Sequence, residues 1–328
     1  MIAISLMARA LRFALPVLLA AALLAQAAFA QTYPARPVRL VVPAAPGGSL
    51  DLAARMMSGK LSEMRGQQVL VENRPGANFI VGTESVAKSA PDGYTLLLVS
   101  SGALTVNPVA YPNLPYNPQR DLSPIILLGS VPFALLVNNA VPARTLQEFI
   151  AHLRANPGKL NHASNSATTM LSSELFKSLA KLDYADINYK GGVLAAAATA
   201  AGETQFCIVD IGSATAPMKG GRARVLAVTT TQRYRLQPDI PTMAESGVPG
   251  YASAAWIVVL GPAKTPPEII ARVNADMRRV IALPEIVARF ESFGIEVGGG
   301  SAEEAARLLR ADEEQWTRLV KERNIKFQ

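Results

Sequence analysis

Short β-branched runs alternate with helical periods along this chain, and that alternation limits the architectures open to it. Val38-Arg39-Leu40-Val41-Val42 reads as a strand ending at Pro43. Pro46-Gly47-Gly48 turns the chain, and Leu50, Ala53, Ala54, Met57, Leu61 and Met64 then recur at helical spacing. Gln68 to Glu72 is a second strand, closed by Asn73-Arg74-Pro75-Gly76. A short helix is expected around Glu84 to Ser89, and Tyr94 to Val99 is a third strand, after Pro91-Asp92-Gly93. Strand–helix–strand units of this kind build a parallel sheet with helices on both faces.

The middle of the chain repeats the habit. Phe133 to Val137, Gln205 to Val209, Val225 to Thr229 and Ala255 to Leu260 read as buried strands. Thr145-Leu146-Gln147-Glu148 is a capping box that opens a helix to about Asn156, and Met170 to Ala180 is another helix. Thr265-Pro266-Pro267-Glu268 combines a capping box with proline at the first helical position. Ser301-Ala302-Glu303-Glu304 caps a last helix running to about Lys321. No repeat or low-complexity linker separates domains, so two domains here would be joined by paired strands that cross between them and act as a hinge.

Arg9 and Arg12, the apolar run Phe13 to Ala25 and the small-residue site Ala28-Phe29-Ala30 form a secretory signal, with cleavage expected after Ala30. The run is short for a membrane anchor, and no later stretch reaches about 18 apolar residues. Cys207 is the only cysteine, so burial rather than an internal disulfide must stabilise an exported chain. Within Phe206-Cys207-Ile208-Val209 it is expected to pack as a small hydrophobe.

The formal net charge is +7, but its cations are dispersed and not interleaved with aromatics, so nucleic acid is not an expected partner. Enzyme signatures are mostly missing. The two histidines, His152 and His162, lack metal-ligand spacing, so no metal is expected. No Gly-x-Ser-x-Gly elbow, Walker A or dinucleotide pattern occurs, and no cofactor is expected. Ser85-Val86-Ala87-Lys88 and Ser178-Leu179-Ala180-Lys181 match Ser-x-x-Lys without its companion motifs.

Binding chemistry is more legible. Pro43 to Asp51 (PAAPGGSLD) joins a strand end, a glycine turn and a helix start, which together can bind carboxylate or phosphate through backbone N–H groups. The same residues also suit a plain tight turn with Ser49 as N-cap. Arg55, on the helix behind, is expected to matter little. Ser100, Ser101, Thr105 and Asn107 follow a parallel strand, where ligands lie in open α/β sheets, and Asn161 to Thr169 is a second hydroxyl-rich loop. Asp210 ends a strand and either orients a ligand or caps the next helix.

Taken together, Tyr33-Pro34-Ala35-Arg36-Pro37, PAAPGGSLD (43–51), VENRPGAN (71–78), PDGYTLLL (91–98), Asn156 to Asn161, Tyr189-Lys190-Gly191 and QPDIPTMAESGVPGY (237–251) resemble one family. This is the extracytoplasmic solute-binding proteins of tripartite tricarboxylate transporters, the TctC or Bug type. The resemblance implies an α/β, two-lobed periplasmic binding protein, type II-like, with ligand between the lobes. Residues 31–130 and 255–328 would form lobe 1, and 131–254 lobe 2. It further implies a small carboxylated ligand (an organic, amino or aromatic acid), membrane transporter subunits as partners, a periplasmic monomer and no catalysis. The implied ligand-binding residues are Ala45, Gly47, Gly48, Ser49, Ser100 and Ser101 on lobe 1, with Ser164, Thr168, Thr169 and Asp210 on lobe 2. Two features depart from the family: Ala44 stands where an aromatic residue is usual, and the loop Asn165-Ser166-Ala167 is short and lacks glycine. Low aromatic content (6%) argues against a sugar receptor. The rival readings are a ligand sensor for a membrane kinase and a periplasmic hydrolase.

Overall fold

In the computed structural model, which describes residues 33–327, the first part of the chain runs β1 (Val38–Val42), α1 (Ser49–Arg65), β2 (Val69–Asn73), α2 (Ile80–Ala87) and β3 (Thr95–Ser100). The one-turn helices α3 (Gly102–Thr105), α4 (Asn107–Ala110) and α5 (Pro118–Asp121) lead to the long strand β4 (Leu122–Asn138). Next come α6 (Leu146–Ala155), β5 (Asn161–Ser164), α7 (Ala167–Ala180), β6 (Ala185–Asn188), α8 (Gly192–Ala201), β7 (Phe206–Asp210), α9 (Ile211–Lys219) and β8 (Ala223–Val228). The chain closes with β9 (Ala254–Pro262), α10 (Pro267–Ile281), α11 (Pro284–Ser292), β10 (Glu296–Gly299) and α12 (Ala302–Arg323). The expected export signal lies outside the described residues.

Period-two burial explains why both sheets are covered on two faces. In β3, Leu96 and Leu98 join the cluster that holds Leu40, Val42 and the α1 residues Ala53, Ala54 and Met57. Leu97 and Val99 point the other way, with Val41, Val86 and Leu104. In β7, Phe206 and Ile208 enter one cluster, and Cys207 and Val209 the opposite one. Burial pushes the Cys207 thiol up to about 12, so it packs as an inert hydrophobe.

Lobe 1 is the sheet β2-β1-β3-β9-β4, parallel across β2-β1-β3 and antiparallel at β9 and β4, with β10 also on β4. In lobe 2, β4 pairs with both β7 and β8, and β7, β5 and β6 run parallel. The strand expected at 133–137 is thus only the end of a 17-residue strand. Pro124, Gly129 and Pro132 conceal its first half, and register shifts between Pro124 and Ile126 and between Leu127 and Gly129 accommodate two of them.

β4 leaves the first sheet at Pro132, opposite Ala254, and enters the second at Phe133, opposite Asp210. Thr229, fully buried, pins this crossing: its hydroxyl donates to the Ser253 carbonyl at 2.6 Å and accepts from the Phe133 N–H at 3.2 Å. Thr229→Val keeps the shape and strands both partners, at about 1–3 kcal/mol. Calorimetry should show a melting temperature several degrees lower; an unchanged value would mean that strand pairing alone holds the crossing.

The C-terminal helix packs in two core clusters. Leu309 of α12 packs in a lobe 1 cluster, whereas Trp316 and Leu319 pack in the lobe 2 core with Phe149 and Phe206. Seven residues of helix, about 10 Å of rise, carry α12 from one lobe to the other. The capping box expected at Thr265 is also absent: its hydroxyl donates to the Pro262 carbonyl, and α10 starts after Pro266 without a side-chain cap. No helix among the described residues is long and apolar enough to cross a membrane.

Candidate functional site

The candidate residues lie at the C-terminal ends of the parallel strands β1 and β3 in one sheet and β5 and β7 in the other. After β1, residues Ala45 to Ser49 are exposed. Gly47 has φ +87, where an L side chain is strained, while Gly48 has φ −77, open to any residue. The first helical bond runs from the Leu52 N–H to the Gly48 carbonyl, so the N–H groups of Ser49, Leu50 and Asp51 lie ahead of it. Those donors and the α1 dipole suit an oxyanion.

What shapes this turn is Asp51, which the sequence showed only as the last letter of a motif. It is 2% exposed and accepts from the Gly47 N–H (2.9 Å), Arg55 Nε (3.0 Å) and Asn73 Nδ2 (2.9 Å). Asn73, the last residue of β2, also donates to the Ala44 carbonyl, and Arg55 Nη2 reaches Asn73 Oδ1. Burial pushes the Asp51 carboxyl up, but the bonds from Arg55, Gly47 and Asn73 outweigh it and hold the group below the usual range. Arg55 is therefore part of the turn's support, contrary to expectation. Because Asp51 occupies the Gly47 N–H, the donors left for a ligand are those from Gly48 onward.

After β2, Ala77, Asn78 and Phe79 all take positive φ (44, 50 and 72), a left-handed turn that costs about 1–2 kcal/mol per residue. Asn107 secures it: Asn78 Nδ2 donates to Asn107 Oδ1 and Asn107 Nδ2 to the Asn78 carbonyl, both at 2.9 Å. After β3, Ser100 is half-buried, while Ser101 is buried and its Oγ accepts from the Trp256 N–H at 3.2 Å. Thr105 donates to Asp312 of α12 at 2.7 Å. Of the four polar candidates in this loop, Ser100 alone has no such structural bond among the described residues.

On lobe 2, Ser164 ends β5 and donates to Asp186 Oδ2 at 2.7 Å. Asp186 Oδ1 lies 2.5 Å from His162 Nδ1, and His162 Nε2 accepts from the Ile208 N–H at 2.9 Å. Burial raises the Asp186 carboxyl, but the bonds from His162 and Ser164 and the Lys177 charge prevail and hold it below the usual range. A carboxylate thus stands between serine and histidine, and the histidine's second nitrogen is taken, so His162 does not face the Ser164 hydroxyl as the base of a serine–histidine pair does. Of the Ser-x-x-Lys pairs, Ser85 donates to the Gly82 carbonyl and Lys88 pairs with Glu84.

Thr169 has a capping role. With Ser166 it forms a capping box for α7, accepting from the Asn165 and Ser166 N–H groups and donating to the Ser166 carbonyl. Threonine at the third helical position hid this cap from the sequence. Asp210 caps α9, accepting from the Ser213 N–H (2.8 Å) and hydroxyl (2.7 Å), one of the two roles open to it. Thr168 is half-buried, and a Cβ built on Gly102 would fall 2.8 Å from its Oγ1. The lobes therefore touch where the β3 turn meets the β5 turn. Among the described residues no group of histidine, cysteine or acidic side chains could hold a metal.

The sequence profile of the tripartite tricarboxylate transporter family receptor, TctC, matches residues 53–325. BugT of Bordetella pertussis is 34% identical over 301 residues, covering 91% of this chain and 92% of that one. Among solved structures, R. palustris Rpa4515 with adipate superposes with TM-score 0.78 at 32% identity, covering 90% of this chain and all of that one. MatC from Rhodopseudomonas palustris with bound malate gives TM-score 0.74 at 28% identity, over 88% of this chain and all of that one. With a profile match across most of its length and a relative at this identity, the chain belongs to the TctC family of tripartite tricarboxylate transporter receptors.

Proposed function

We propose that the chain is a periplasmic receptor that captures a small carboxylated solute between its lobes and delivers it to the membrane subunits of a tripartite transporter. The observation that carries this reading is the turn at Gly47-Gly48-Ser49, which Asp51 and Asn73 shape at a strand end; its helix-start N–H groups would bind an oxyanion. The adipate and malate bound by two structural relatives agree with it. Gly48, Ser49 and Ser100 would hold the carboxylate, Ala45 and Gly47 would shape the turn beside it, and Ser164, Thr168 and Asp210 would lie around the rest of the solute. Ser101 and Thr169 would act by holding their turns. Contacts made by both lobes favour the closed form, so binding and closure are one equilibrium. Export with cleavage after Ala30, action as a single chain, and binding without cofactor, metal or turnover complete the reading.

The test is a thermal-shift screen of the periplasmic protein against carboxylates, with intact mass checking for an N-terminus at Gln31. A ligand at a hundred times its Kd stabilises by about 2.7 kcal/mol, which raises the melting temperature by several degrees. No shift with any carboxylate, or consumption of a bound one, would sink the proposal.

A further inference from the structure

We propose that lobe 2 reads a hydrogen-bond donor on the solute, so that the preferred ligand is a carboxylate bearing a hydroxyl or amino group rather than a second carboxylate. The inference rests on the carboxylate-receptor reading and follows the direction of a fixed chain of hydrogen bonds. A backbone N–H can only donate, so Ile208 makes His162 Nε2 an acceptor. In the neutral ring the proton then lies on Nδ1 and is given to Asp186 Oδ1. Asp186, an acceptor at both oxygens, takes the Ser164 proton on Oδ2. Ser164 has no second proton, and its Oγ can offer only lone pairs to a ligand.

Two neighbouring oxygens are also acceptors. Asn165, next in the loop, buries its Oδ1 without a donor. Asp210, at the end of the adjoining parallel strand, is a carboxylate with two donors, both from Ser213. Thr168 can donate or accept and does not discriminate. A second ligand carboxylate brought against Ser164 and Asp210 would meet lone pairs and a negative charge. A hydroxyl or ammonium would meet partners. The cation in these turns is Lys190, exposed in the β6–α8 loop.

Calorimetry on the mature protein should compare three-to-six-carbon ω-hydroxy acids, ω-amino acids and α,ω-dicarboxylates, matched by chain length. The best hydroxy or amino acid should bind at least tenfold tighter than the dicarboxylate of its length, and the two series tell hydroxyl from ammonium. Asp186→Asn keeps the shape but reverses the chain: the amide can donate to Ser164, whose proton is then free for the cleft. That variant should lose most of the preference while melting within a few degrees of the parent. Dicarboxylates binding as tightly as their hydroxy and amino counterparts would overturn the inference and leave the receptor reading intact, the more so if Lys190→Ala removed them. An unchanged preference in Asp186→Asn would overturn it as well. Failure of every acid to bind would overturn the receptor reading and this inference together.

Discussion

Asp51→Ala should give a folded receptor that binds carboxylates at least about tenfold more weakly, a loss of about 1.4 kcal/mol or more. The side chain touches no ligand in this account. It holds the Gly47 N–H, ties Asn73 to the turn and anchors Arg55, all from a buried position. Without it those donors lose a charged acceptor, and the left-handed Gly47 loses the bond that fixes its direction. Bonds to charged groups are worth about 1.5–3 kcal/mol, so stability should fall by that order. The pH dependence separates charge from packing. The folded-state pKa of Asp51 is depressed, so its contribution is complete above the unfolded value near 3.9 and is lost as pH falls through the folded one. The stability gap between the parent and Asp51→Asn should therefore be widest above about pH 5 and shrink on acidification. Full affinity in Asp51→Ala, by calorimetry, would show that the turn needs no support from below.

The sequence revealed strands where burial is two-sided and uninterrupted, as in Leu96 to Val99 and Phe206 to Val209. It concealed them where that pattern fails. The first half of β4 is broken by Pro124 and Gly129, and β6 is a largely exposed four-residue edge strand, Ala185 to Asn188. The loss of β6 mattered most, because it carries Asp186. The backbone part of the site was legible, since strand end, glycine pair and helix start are contiguous. The side-chain part was not, because its partners meet only through strand pairing: Asp51 with Asn73, 22 residues on, and His162 with Asp186, 24 residues on. Residue type alone also could not separate serines and threonines that face a ligand from those that tie backbone. The hydroxyls of Ser101, Thr105 and Thr169 are bonded within the fold, to the Trp256 N–H, the Asp312 carboxylate and the Ser166 carbonyl.

Gly102→Val should weaken ligand binding by about ten- to a hundredfold, without a matching loss of stability. Gly102 begins α3 on lobe 1, and Thr168 lies in the first turn of α7 on lobe 2. A Cβ at Gly102 would approach Thr168 Oγ1 to 2.8 Å, closer than a carbon and an oxygen tolerate. Valine adds two methyl groups beyond that point. Overpacking of this kind costs about 1–3 kcal/mol, but only in a conformation where the lobes meet. Opening the cleft relieves it, so the penalty falls on the closed form and appears as lost affinity, not as a lower melting temperature in the absence of ligand. Scattering should show a larger radius for the variant in the presence of ligand than for the parent. Thr168→Ala removes the opposing atom, so Gly102→Ala combined with Thr168→Ala should bind more tightly than Gly102→Ala alone, a coupling that a double-mutant cycle measures. If Gly102→Val binds as the parent does, these turns do not meet in the bound state, and closure must be built on other contacts. If it binds weakly and Thr168→Ala does not relieve it, the α3 turn acts on the ligand directly. Rescue by Thr168→Ala would identify the glycine as the clearance that lets one lobe close upon the other.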